Sequence, residues 1–134
     1  MLSMHATGYI TITDQGKTMV VATVKGETNL KVESSANIYI HNPPVSIDDV
    51  KTSGLPVAIH VEGNFKGKYN FMVGNLKSKP CKIAQVVREF NGIHENNSYF
   101  IEIGSNVDIA FICFVAYAID ELFSVLLKGG AEIQ

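Results

Sequence analysis

The chain has 134 residues, 46% of them hydrophobic and 18% charged, which excludes disorder and allows one domain, 1–134, with a sizeable core. A formal net charge of −2 excludes a global pull toward nucleic acid or an anionic membrane, so any basic surface has to be local. Cys81 and Cys113 are too few for a disulfide framework or a zinc site, and the setting expected is reducing, intracellular and cytoplasmic. Met1-Leu2-Ser3-Met4 carries no basic segment with an apolar run behind it, so no secretory signal is expected.

The first two thirds of the chain read as strands, lying within 7–103. A β-prone run covers Thr7 to Thr13. Asp14-Gln15-Gly16 is a hairpin turn, and Thr18 to Lys25 is the returning strand. Gly26 to Asn29 reads as a further turn. Leu30 to Glu33 and Ala36 to His41 read as short strands. Asn42-Pro43-Pro44 opens a surface loop that reaches Pro56, because proline cannot donate to a strand ladder. From Val57 to Glu62, apolar Val57, Ile59 and Val61 alternate with Ala58, His60 and Glu62. Gly63 to Gly67 turns the chain. Tyr69 to Val73, Lys82 to Phe90 and Ser98 to Ile103 complete about eight strands, separated by the lysine-bearing turn Gly74 to Pro80 and the polar loop Asn91 to Asn97.

The end of the chain is different. Ile109 to Ile119 (IAFICFVAYAI) passes without a charge. Ser105 or Asn106 can cap a helix there, Asp108 suits its first turn, and Gly129-Gly130 stops it, which predicts a central helix over 106–128. With no polar stripe on its first turns, that helix has to be enclosed by protein or by membrane. Membrane is the weaker choice, since a span needs about 20 apolar residues and Asp120 and Glu121 interrupt this one. Many short strands followed by one such helix predict a mainly β fold: a barrel or partial barrel wrapping a buried helix. Phe111, Ile112, Phe114, Val115, Tyr117, Ile119, Leu122 and Phe123 are its expected filling, with Cys113 a small core residue.

Catalytic signals are weak. His5, His41, His60 and His94 stand at no metal-ligand spacing, and His60 reads as a solvated outer-face residue. Asp120 and Glu121 point about 100° apart on a helix, so they do not converge on one substrate atom. Neither a phosphate loop nor a nucleophile elbow is present. Tyr69, Phe71, Tyr99 and Phe100 read as packing residues rather than as a stacking platform for nucleic acid. The sequence therefore predicts no enzyme, no metal and no cofactor. Lys66 and Lys68 fall in one turn, Lys77, Lys79 and Lys82 in or beside the next, and Arg88 further along the same strand. Adjacent hairpins would gather these six as a basic patch, while the plain alternative is a set of solvated side chains.

Several runs are similar to those of LURP-one-related proteins. Leu2-Ser3-Met4-His5 resembles the family's LSLH run and Thr18 to Lys25 its LLATVKK strand. Val61 to Phe65 resembles IKGDF, and Ile83 to Val86 resembles LVAQV. Ser105 to Ile112 resembles PGVDQALI, and Ala118 to Glu121 resembles ALDE. The order holds from Leu2 to Phe123. The resemblance implies a tubby C-terminal-like fold of about twelve strands around a central C-terminal helix, as in phospholipid scramblases. The family's strands before LSLH have no counterpart here, so part of the wall is expected to be absent, leaving edges and part of the helix open. For Lys66, Lys68, Lys77, Lys79, Lys82 and Arg88 the resemblance implies recognition of phosphoinositide headgroups. The expected function is a non-catalytic binding module for anionic phospholipid at a membrane surface or for a protein partner, without nucleic acid or a transmembrane span. A scramblase-like membrane protein and a truncated remnant without activity of its own are the alternatives.

Overall fold

Asp14 and Lys17 face each other across a two-residue turn, Gln15-Gly16, in which both residues have positive φ, 52° and 77°. That conformation matches the twist of the strands it joins and is tolerated by glycine at the second position. The turn links β1 (Ser3–Asp14) to β2 (Lys17–Asn29), the first hairpin of a computed structural model that describes residues 3–29, 34–65, 67–74, 80–89 and 98–132. Five more strands follow: β3 (Ser34–Val45), β4 (Ile59–Gly63), β5 (Lys68–Val73), β6 (Cys81–Glu89) and β7 (Ser98–Ile103). Each pairs antiparallel with its sequence neighbours in the order β1 to β7, so the sheet is a seven-stranded meander curled into a half-barrel. One helix, α1 (Ile109–Glu132), closes the chain.

Alternation decides which side chains fill the hollow. Directly opposed residues share a face, and the pairs Ala36 with Val61, Val61 with Phe71, Phe71 with Ala84 and Val86 with Ile101 run across the inner face. They join Ala22, Val24, Ile38, Ile59 and Tyr69 in one core with Ile112, Val115, Ala116 and Ile119 of the helix. Each large side chain there contributes roughly 1.5–3 kcal/mol on full burial. Tyr69 and Phe71, two residues apart on β5, stack at 5.9 Å. Phe65, from the turn before them, meets Tyr69 edge-on at 5.2 Å and is itself buried.

The structure moves several expected boundaries. Gly26 to Asn29 is strand, not turn. Gly26 lies on the inner face opposite Ala6, where a Cβ would stand in ordinary contact with Leu122 at 3.8 Å. Extended backbone continues through Pro43 and Pro44 to the end of β3, with a cis bond at Asn42-Pro43. The β2 register there jumps from Ala22 opposite Ile40 to Val20 opposite Val45, and β4 pairs only as far as Ile38. The prolines thus sit where the ladder asks for no donor. The segment after β3, with a short 3-10 helix at Ile47–Asp49, lies against β2 on the convex side. Beneath it Thr23 Oγ1 meets His41 Nε2 at 2.8 Å, both residues being buried. The expected strand at Leu30 to Glu33 lies outside the described residues.

The helix begins at Ile109 because Asp108, rather than Ser105 or Asn106, caps it. The Asp108 Oδ1 accepts the Phe111 N–H at 3.1 Å. It runs through Gly129 and Gly130 to Glu132, past the expected stop.

Candidate functional site

Among the described residues, the helix is covered on one face from Ile109 to Leu122. Ile112, Val115, Ala116 and Ile119 recur at helical spacing on one face and are buried in the hollow. On the opposite face stand Ile109, Ala110, Cys113, Phe114 and Tyr117, all exposed, with Phe114 at 60% and Tyr117 at 66%. Phe114, Tyr117 and Cys113 therefore do not fill a lumen as the sequence led us to expect. The cause is the strand count: the seven strands among the described residues make half a barrel wall, and the apolar surface turned away from it meets no described strand. Phe123 is among the helical positions whose side chains are not described.

Two open clefts flank this stripe. The larger, about 280 Å³, lies between β1 and the helix, lined by Gly8 to Thr11 on one side and by Phe114, Tyr117, Glu121 and Leu122 on the other. The smaller, about 170 Å³, lies on the β7 side, between Ile101 and the helix residues Cys113, Tyr117 and Asp120. Gly8 allows Leu122 to approach β1; a Cβ there would lie 3.3 Å from Leu122 Cδ2. The mouth of the half-barrel is thus an apolar helix face between two terminal strands. β1 has no neighbour on its outer side among the described residues.

Three of the six basic residues, Lys68, Lys82 and Arg88, are among the described residues. Lys66, Lys77 and Lys79 lie outside the described residues. Lys68 faces the convex side, since its neighbours Tyr69 and Phe71 face inward. Lys82 shares that side, being opposite Met72, and stands about four residues, roughly 13 Å, along the strands from Lys68. Arg88 is different. It lies on the inner face with Ala84 and Val86, its side chain is only 12% exposed, and its Nη1 stands 3.1 Å from Asp120 Oδ1. It belongs to the contact between sheet and helix, not to a patch with Lys68 and Lys82. Asp120 is accordingly a structural ion-pair partner, and Glu121 an exposed residue of the larger cleft.

His60 lies on the convex face as expected. Its Nδ1 donates to Asn37 Oδ1 at 2.7 Å and its Nε2 stands 3.4 Å from Glu62. Among the described residues no three of His, Cys, Asp and Glu gather as a metal would need. No helix among them is long and apolar enough to cross a membrane.

Comparison with protein-family models, with curated proteins and with solved structures finds no match to this chain. The reading of the site accordingly rests on its own geometry. Periodicity alone read the helix as enclosed on every side, whereas the absence of the family's leading strands led to the expectation of open edges and a partly open helix, as the half-barrel has. The signal was present in the arithmetic of about eight strands against a helix apolar all round, which leaves one face of that helix without a wall.

Proposed function

We propose that this domain is a non-catalytic protein-binding module whose binding surface is the open mouth of the half-barrel. One observation carries the reading: Phe114 and Tyr117 stand exposed side by side with the outer edge of β1. A contiguous apolar face bordered by an unpaired strand edge is what a protein partner covers, by main-chain pairing along the edge and side-chain packing behind it. The resemblance to LURP-one-related domains supports the same architecture, a β wall around a C-terminal helix. It also raises the anionic-lipid reading, for which Lys68 and Lys82 are the described residues on one face. Two lysines at that separation give a small share of the roughly 1 kcal/mol per charge on which peripheral attachment depends. The apolar mouth therefore favours protein over lipid.

The test places a benzophenone amino acid at Tyr117 in the intact chain and irradiates cells that express it. A discrete protein adduct is expected, identified by mass spectrometry, suppressed by excess unmodified chain and lost with Phe114→Asp. Adducts with phospholipid alone, or none from a folded protein, would overturn the proposal.

A further inference from the structure

The edge strand itself indicates what it pairs with. β1 is twelve residues long and terminal in the sheet among the described residues; it has no proline, no lysine and no charge before Asp14, and the register shift at Ile10/Thr11 places the extra residue, Val21, on β2 rather than on β1. Its outer sequence is close to a palindrome. His5, Thr7, Tyr9, Thr11 and Thr13 alternate on the convex face, centred on Tyr9. Ala6, Gly8, Ile10 and Ile12 alternate on the hollow face, where Ala6, Gly8 and Ile10 oppose the buried Gly26, Val24 and Ala22.

We propose that the mouth is occupied by a second copy of this chain, with β1 paired antiparallel to β1 about a two-fold axis at Tyr9. The proposal rests on reading the mouth as a protein-binding surface and names its partner. Antiparallel pairing of identical strands is isologous, so one patch satisfies itself. In this register Tyr9 meets Tyr9 of the other copy, Thr7 meets Thr11, and His5 meets Thr13. These are aromatic and hydroxyl pairs of the kind that stabilise ladders. No like charges are brought together between His5 and Thr13. On the hollow face Ile10 of the second copy lands beside Gly8, at the cleft between β1 and the helix, where the first copy supplies no side chain. Ile12 of the second copy lands beside Ala6. Tyr9 and Ile12, 44% and 49% exposed, would both be covered, and Phe114 with them. Eleven paired residues make a contact about 35 Å long. With the helix face behind it, that covers roughly 600–800 Å² on each copy, close to the size of a standard stable interface. Cys113 faces the β7 side and stays accessible.

Sedimentation of the full chain over a concentration series tests this. The wild type is expected to dimerise reversibly in the micromolar range. Tyr9→Lys sets two ammonium groups against each other on the axis and is expected to weaken association at least about tenfold, while Tyr9→Phe leaves it unchanged. In a Cys81→Ser/Cys113→Ser background, Tyr9→Cys is expected to oxidise to a covalent dimer, because the two introduced thiols face each other. Thr13→Cys, opposite His5, is not. This thiol pair reports the register even if the lysine variant fails to fold. A chain that is monomeric throughout, or a dimer indifferent to Tyr9→Lys, or faster crosslinking from Thr13→Cys than from Tyr9→Cys, overturns the proposal. A benzophenone adduct at Tyr117 with some other protein would leave the binding-module reading standing while this one falls.

Discussion

Arg88 Nη1 stands 3.1 Å from Asp120 Oδ1, joining β6 to the middle of the C-terminal helix. The two groups are 12% and 29% exposed, so each is largely withdrawn from water, and the ion pair offsets part of that desolvation. Asp120→Ala removes this carboxylate from a largely buried guanidinium. It is expected to lower the unfolding free energy by about 2–3 kcal/mol, somewhat less than the 3–5 of a fully buried pair because water reaches Asp120. The double change Arg88→Met with Asp120→Leu is expected to recover most of that loss. Urea denaturation of the three variants measures both effects.

Gly63 ends β4 at φ +140°, and a Cβ built on it would stand 2.5 Å from the Lys68 carbonyl oxygen and 2.8 Å from the Tyr69 Cα. Both obstacles are backbone, held by the antiparallel pair of Gly63 and Tyr69. Gly63→Ala therefore has to displace the hairpin that carries Tyr69 and Phe71 into the core. A loss of about 3 kcal/mol or more is expected, seen as a fall in Tm of well over 5 °C.

Thr23 and His41 lie on the convex face under the segment that follows β3, 2.8 Å apart and buried. Thr23→Val keeps the volume but removes the hydroxyl, leaving a buried ring nitrogen without that bond. The expected cost is about 1–3 kcal/mol. Thr23→Ser, which keeps the hydroxyl, is expected to lose less, and a reversed ranking in thermal melts would show that packing outweighs the hydrogen bond here.

Neighbouring positions on the helix separate the covered face from the open one. Ile112 is buried and Cys113 is exposed. Ile112→Ala is expected to cost about 2–5 kcal/mol, whereas Cys113→Ser stays within about 0.5. A thiol reagent under native conditions is expected to modify both Cys81 and Cys113 at rates near those of the unfolded chain. Slow modification of Cys113 would mean that the helix is covered on this side.

Much of the fold was legible because it follows from periods and from single turn residues. Alternation at Ile59 to Val61 and at Tyr69 to Phe71 marks inward positions whatever the rest of the chain does, and Gly16 suits the second position of a hairpin turn by its own backbone freedom. Boundaries were less legible where a distant element decides them. Gly26 reads as a turn residue, yet it lies in a strand, paired with Ala6 on one side and with Ala36 on the other. Asp108 took the capping role from Ser105 and Asn106 because its side chain reaches the Phe111 amide. Of the six basic residues, Arg88 was separable from the lysines only once its strand had been assigned an inner face. Lys66, Lys77 and Lys79 lie outside the described residues.

By itself the sequence determined a mainly β chain with one C-terminal helix whose first eleven residues carry no charge, since composition and periodicity act locally and require no partner. Only the tertiary structure decided which face of the helix the seven described strands leave open. Burial depends on how much wall is available, not on how apolar a side chain is. The same helix therefore places Ile112 and Ile119 in the core while Phe114 and Tyr117, equally apolar in sequence, stand at the open mouth beside the unpaired edge of β1.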